Sequence, residues 1–250
     1  MTRSISAELL AAQQGNYRPA INLVFHDRDD NNTEDFSFAV GTSNRLIQCQ
    51  FHEYLYDDYG FVVLRNNDLA IPDLKGWWVE PGFGADTSVG GFGGSGEEYE
   101  KIRRYWVTNQ QKISAPGNQI VILQFEGIWR RMMRHLMLTL GISPVFGATM
   151  QKTIYDILEF FIEENLKADV ASSGDRAYMA STLEAIGDQS DTIIDIITVF
   201  FDLNEHYIES VGEIMQRAQN LTKCYLRVKK GMVFEVRYPQ TSDSGDATYY

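Results

Sequence analysis

Apolar and polar positions alternate with a period of two through most of the first half of the chain, then change after residue 127 to a period of three and four. Residues 4–15 set Ile5, Leu9, Leu10 and Ala12 near helical spacing and end at Gly15-Asn16, which predicts a short helix. Residues 20–26 read as a strand with Ile21, Leu23 and Phe25 on one face. The polar run 27–35 reads as a turn or exposed loop. In residues 45–56, Ile47, Cys49 and Phe51 alternate with Gln48, Gln50 and His52, and the turn Asp57-Asp58-Tyr59-Gly60 leads into residues 61–66, so a β-hairpin is expected. Residues 75–82 predict another strand, stopped by Pro81 and Gly82, and the glycine-rich stretch 82–96 a flexible loop. Strands over 104–111 and 119–125 flank the turn Ser114-Ala115-Pro116-Gly117.

Beyond Gly127, Ile128, Trp129, Met132, Met133, Leu136, Met137 and Leu140 fall on one helical face, as do Ile154, Ile157, Leu158, Phe161, Ile162 and Leu166. Residues 168–190 read as a loop with a short strand near 183–186. The apolar run 191–203 fits either a buried helix or a strand. Residues 209–221 predict a helix burying Val211, Ile214, Met215, Ala218 and Leu221, and strands over 223–228 and 232–238 close the chain as a hairpin. The expectation is an α+β protein whose first 126 residues form a small antiparallel barrel or sandwich, followed by helices. Its parts are a first module with its helix at 1–127, a helical and mixed module at 128–222, and a closing hairpin at 223–250.

With 44% apolar and 22% charged residues in 250, collagen, disorder and a fibrous coiled coil are excluded, and the chain is long enough to bury a core without covalent staples. Cys49 and Cys224 sit in unrelated contexts, so neither a disulfide scaffold nor a cysteine zinc site is expected. No apolar window has membrane-spanning length and the first residues lack a signal peptide's pattern, which predicts a soluble protein that is intracellular or assembled inside the cell. A net charge of -12 repels a polyphosphate backbone. Thirteen Tyr, 14 Phe and 4 Trp suit β-structure and large buried interfaces.

Catalytic patterns are thin. His26, His52, His135 and His206 lie in different elements without metal-ligand spacing, and no G-x-S-x-G elbow is present. Acid pairs such as Asp57-Asp58, Glu97-Glu98 and Glu163-Glu164 arise readily among 34 acids. The stretch from Gly90 to Gly96 lacks a following Lys-Ser/Thr, and Glu97-Glu98 would repel phosphate there. No catalytic, cofactor-binding or metal-binding residue is assigned.

The order of segments carries more. Leu10-Ala11-Ala12-Gln13-Gln14 with Arg18-Pro19-Ala20-Ile21, then Val62-Val63-Leu64-Arg65-Asn66-Asn67-Asp68 with Leu74-Lys75-Gly76 and Gly82, form the first matching stretches. Tyr105-Trp106-Val107-Thr108-Asn109-Gln110-Gln111, Leu123-Gln124-Phe125-Glu126-Gly127 and Thr153-Ile154-Tyr155-Asp156-Ile157-Leu158 follow. Glu209-Ser210-Val211 leads a helix, and Leu221-Thr222-Lys223-Cys224-Tyr225-Leu226-Arg227, Gly231 and Tyr238-Pro239 complete the pattern. In this order the chain resembles the N-terminal part of the tail hub or tail-tip proteins of tailed bacteriophages, relatives of contractile-tail baseplate hubs and type VI secretion spike hubs.

The resemblance implies an α+β, baseplate-hub-like fold of two small antiparallel β-barrel-like modules with intervening helices, and a structural, non-enzymatic virion protein: a homotrimeric ring at the distal end of the tail tube, enclosing a channel through which DNA passes without specific binding. It implies tail-tube, tail-tip and tape-measure proteins as neighbours. The interface candidates are Trp77, Trp78, Tyr105 and Trp106 on strands, with Arg130, Arg131 and Arg134 for polar contacts; alternation sends one of Trp77 and Trp78 inward. Two other readings stand beside it: a tail-associated peptidoglycan hydrolase using Glu97 and Glu98, and a receptor-binding protein stacking glycans on exposed aromatics.

Overall fold

The computed structural model describes residues 6–15, 18–38, 44–88, 96–134, 150–165, 182–183, 198–201 and 210–237. The expected helix beyond Arg134, the Gly90-Gly91-Phe92-Gly93-Gly94 run, His135, His206 and Pro239 lie outside them. One compact unit holds the described residues through His52 together with Tyr59–Glu126, and the other holds Glu53–Asp58 with those from Gly127 onward.

In chain order the first unit contains α1 (Ala7–Gln14), β1 (Arg18–Asn22), β2 (Val24–His26), β3 (Thr33–Asp35), β4 (Leu46–Tyr54), β5 (Asp57–Arg65), β6 (Trp78–Val79), β7 (Gly82–Asp86), β8 (Glu97–Lys101), β9 (Tyr105–Ala115) and β10 (Asn118–Gly127), the tip of the β4–β5 hairpin excepted. Helix α1 starts where the Ser6 hydroxyl accepts the Leu9 N–H at 3.0 Å, and it buries Leu9 and Ala12 against Ala85. Strands β1, β7 and β8 form an antiparallel sheet with β7 in the centre. The glycine-rich stretch expected to be a loop thus begins as a strand. Its glycine content serves packing: a Cβ on Gly84 would lie 1.7 Å from the Glu98 carbonyl oxygen.

The larger sheet runs β3-β2-β6-β9-β10-β5-β4. It ends in edges at β3 and β4, and no sheet among the described residues is closed. The two long hairpins share a core, with Val62 and Leu64 from β5 meeting Val121, Leu123 and Phe125 from β10. Phe51 joins them, its ring 4.9 Å from Tyr105 and 5.3 Å from Phe125. On β4 the alternation slips: Leu46, Cys49 and Phe51 pack on the core, while Ile47 is half exposed. The strand expected over 20–26 divides at buried Leu23, whose N–H donates to the Ser37 hydroxyl at 2.9 Å, so that β1 and β2 serve different sheets. The polar run 27–35 ends in β3, which returns along β2.

The second unit contains α2 (Ile128–Arg134), β11 (Met150–Thr153), α3 (Ile154–Glu159) continued by a π-helical turn at Phe160–Asn165, β12 (Thr182–Leu183), β13 (Thr198–Phe201), α4 (Val211–Gln219), β14 (Tyr225–Val228) and β15 (Val233–Arg237). Capping boxes start two helices, Thr153 with Asp156 on α3 and Ser210 with Glu213 on α4. The apolar face of α4, Val211, Ile214, Met215 and Ala218, is fully buried, and the helix packs on α2 and α3. The expected closing hairpin is β14–β15, turning through Gly231 at φ 70°, and the short strand expected near 183 is β12, parallel to β15. The ambiguous run over 191–203 contains a strand, β13, antiparallel to β11. Sheets dominate with a few helices, as an α+β reading requires.

Candidate interface residues

Trp78 lies at a junction in the first unit. Its register partners are His26 on β2 and Trp106 on β9. The His26 ring stacks on it with centroids 4.1 Å apart and planes 6° apart, and the Arg104 guanidinium carbon lies 3.7 Å from the indole centre. Two groups so close to one ring cannot share a face, so the indole is sandwiched. Asp30 Oδ1 approaches His26 Nδ1 at 2.6 Å, and Glu80 Oε1 accepts from Arg104 at 2.9 and 3.1 Å. Acid, imidazole, indole, guanidinium and acid thus form one ladder. Burial lowers the Arg104 pKa below the ordinary arginine value, against the pull of Glu80.

Of the four aromatic candidates, Trp78, Tyr105 and Trp106 are buried within a single copy, and half-buried Trp77 packs against the core cluster that holds Tyr105. The Tyr105 hydroxyl donates to the His52 carbonyl at 3.0 Å. Sequence spacing marked these rings as apolar; it carried no signal that His26, Arg104 and Glu80 would converge on one of them.

The three arginine candidates are on α2. Arg130 is exposed and its Nε lies 2.5 Å from Asp57 Oδ1. Arg131 is partly buried and Arg134 exposed, and both already engage groups of their own chain. Around Arg130 the structure adds residues that spacing did not point to. Fully buried Asp58 accepts the Arg130 backbone N–H at 3.4 Å. Tyr56, at φ 63°, sets its ring 4.9 Å from Trp129 at 89°, and its hydroxyl donates to Gln219 Oε1. Burial pushes the Tyr56 phenol pKa up.

The acid pairs have structural partners. Glu97 and Glu98 are successive residues of β8 and so point to opposite faces; the Tyr99 hydroxyl donates to Glu97, and the hydroxyls of Ser6 and Thr87 donate to Glu98. Glu163 accepts the Leu183 N–H at 2.8 Å. His52 stacks on Tyr59 at 4.6 Å. Among the described residues no three His, Cys, Asp or Glu side chains are grouped to hold a metal, and no helix is long and apolar enough to cross a membrane. Cys49 and Cys224 are free thiols. An open groove of about 370 Å³ is lined by Asn44, Arg45, Arg65, Asn67 and Asp68. There the Arg45 guanidinium holds the Asp68 carboxyl down to about 2.

No family model matches the sequence, and no curated protein matches it. Solved structures do. The tail protein of Neisseria meningitidis MC58 superposes on 88% of this chain with a TM-score of 0.52 at 12% identity. The 43 kDa tail protein of prophage MuSo2 from Shewanella oneidensis superposes on 90%, also at 0.52, with 6% identity. The fold is that of phage tail proteins. The resemblance drawn from segment order is therefore matched in three dimensions. The chain spans 50% and 57% of those two structures, about half their length.

Proposed function

We propose that this protein is a structural component of a phage tail, a hub or adaptor at the distal end of the tail tube, built as a homotrimeric ring around the channel used by the genome. The observation that carries this reading is a fold shared with two phage tail proteins over nearly the whole described chain. On this reading the two units act as the barrel-like modules of a hub, completed by sister copies at the open edges of the large sheet. Half-buried Trp77 and the partly or fully exposed Arg131 and Arg134 are the candidates that face neighbours. Tail-tube, tail-tip and tape-measure proteins are the expected partners, and the virion tail, assembled in the host cytoplasm, the expected location.

A net charge of -12 suits such a conduit, because a negative bore lets DNA slide without adhering. The role needs shape and permanent contacts, and no chemical step. Electron microscopy of intact particles tests it: an axial threefold ring containing this chain is the expected result. A peripheral, distal position would favour receptor binding instead. Peptidoglycan turnover abolished by Glu97→Gln and Glu98→Gln would favour a hydrolase.

A further inference from the structure

Strands β9 and β10 outrun the sheet that holds them. On its outer side β9 meets β6 at Tyr105 and Trp106, and the segment before β6 follows β9 as far as Gln110, whose side chain binds the Leu74 N–H and the Pro72 carbonyl. On the other side β10 pairs with β5 from Ile120 onward. Residues 111–114 and 116–118 are exposed. Among the described residues no strand pairs with the outer edge of β9 over 111–115. A two-stranded arm without a third strand is marginal in water, and an open edge beside Ile113, 45% exposed, is a template for another chain.

Charge selects the occupant. Residues 101–125 contain no Asp or Glu, although acids make up 34 of the 250 residues. Of the four Lys and Arg over 101–125, Arg103 is buried and Arg104 is paired with Glu80, and Lys112 is the one charged residue over 105–125. Lys112, in the arm, is exposed and forms no ion pair among the described residues. Two such arms facing each other would repel, whereas an arm facing an acidic surface is attracted. That surface exists on the same sheet: Asp27, Asp29, Asp30, Glu34 and Asp35 fall in the β2–β3 hairpin, with Asp29, Asp30 and Asp35 exposed.

We propose that the β9–β10 arm is the self-association edge of this protein and that it docks head to tail on the acidic β2–β3 hairpin of a second copy. This rests on the annular reading above and adds its contact: a heterologous interface, which closes into a ring where the rotation allows.

Sedimentation velocity on the full-length protein tests it, with thermal melts confirming that each variant is folded. Lys112→Glu and Asp29→Lys each weaken self-association several-fold, their combination restores it toward wild type, and Ile113→Asp weakens it about tenfold or more. Rising salt weakens the wild type. If the wild type associates and the single variants leave it unchanged, the arm contact is wrong while the ring stands. If Lys112→Glu strengthens association, the arms meet each other and the head-to-tail contact falls. If the wild type is monomeric at every concentration, both readings fall.

Discussion

Asp58 and Gly127 meet so closely that a Cβ at position 127 would lie 2.1 Å from the Asp58 carboxyl carbon. The carboxylate occupies that space because α2 begins at Ile128 without a capping side chain of its own, and Asp58 accepts the Arg130 N–H there. A negative group at a helix start is favourable, and a buried one is worth more than an exposed one. Gly127→Ala is expected to cost about 1–3 kcal/mol by displacing Asp58. Asp58→Asn, which keeps the shape and loses the charge, is expected to cost about 1 kcal/mol. Urea unfolding of both variants checks the order.

The Trp78 ladder predicts that Arg104 resists conservative change. Lysine retains the charge but neither stacks flat on indole nor forks onto Glu80, so Arg104→Lys should lose roughly 1–2 kcal/mol. Arg104→Met leaves Glu80, itself largely buried, without its counter-ion and should lose roughly 3 kcal/mol or more. Denaturant midpoints followed by tryptophan fluorescence read both.

Tyr56 combines a left-handed backbone, a ring set edge-on to Trp129 and a hydroxyl on Gln219. Tyr56→Phe removes the hydrogen bond alone and should cost about 1 kcal/mol. Tyr56→Ala also removes the ring and should cost about 3–4 kcal/mol. Equal losses in the two variants would mean that the hydroxyl, and not the ring, holds the hairpin tip.

These sites also mark where periodicity was informative. The β9–β10 and β14–β15 hairpins and the face of α4 from Val211 to Ala218 follow from alternation, turn residues and helical spacing, all local properties. The β4–β5 hairpin follows from alternation, but it turns at Leu55-Tyr56, the expected turn 57–60 lies within β5, and Leu221, expected to be buried, is exposed beyond the helix. Strand β7 was hidden because Gly82 and Gly84 read as flexibility, whereas the strand needs Gly84 where β8 passes too close for a Cβ. Alternation could mark one of Trp77 and Trp78 as inward, yet not that Tyr105 and Trp106 would both be enclosed. The Asp58 and Arg130 contact joins residues 72 apart, and no local pattern encodes such a pair. Gly84→Ala should accordingly separate β7 from β8 and cost about 1–3 kcal/mol, seen as early loss of amide protection in β8.

The Arg45 and Asp68 pair gives the pH dependence a sign. The Asp68 carboxyl is held at about 2, below its ordinary 3.8, chiefly by the hydrogen bonds from Arg45. A depressed acid contributes stability that is complete above its unfolded value and is lost as pH falls through its folded one. Wild type should therefore exceed Asp68→Asn at neutral pH, and the gap should close between about pH 4 and pH 2. Because Asp68 is about half exposed, the gap should also shrink in high salt. Urea midpoints across that pH range decide it: a gap that persists unchanged below pH 2 would assign the effect to the side-chain amide and not to the lost ion pair.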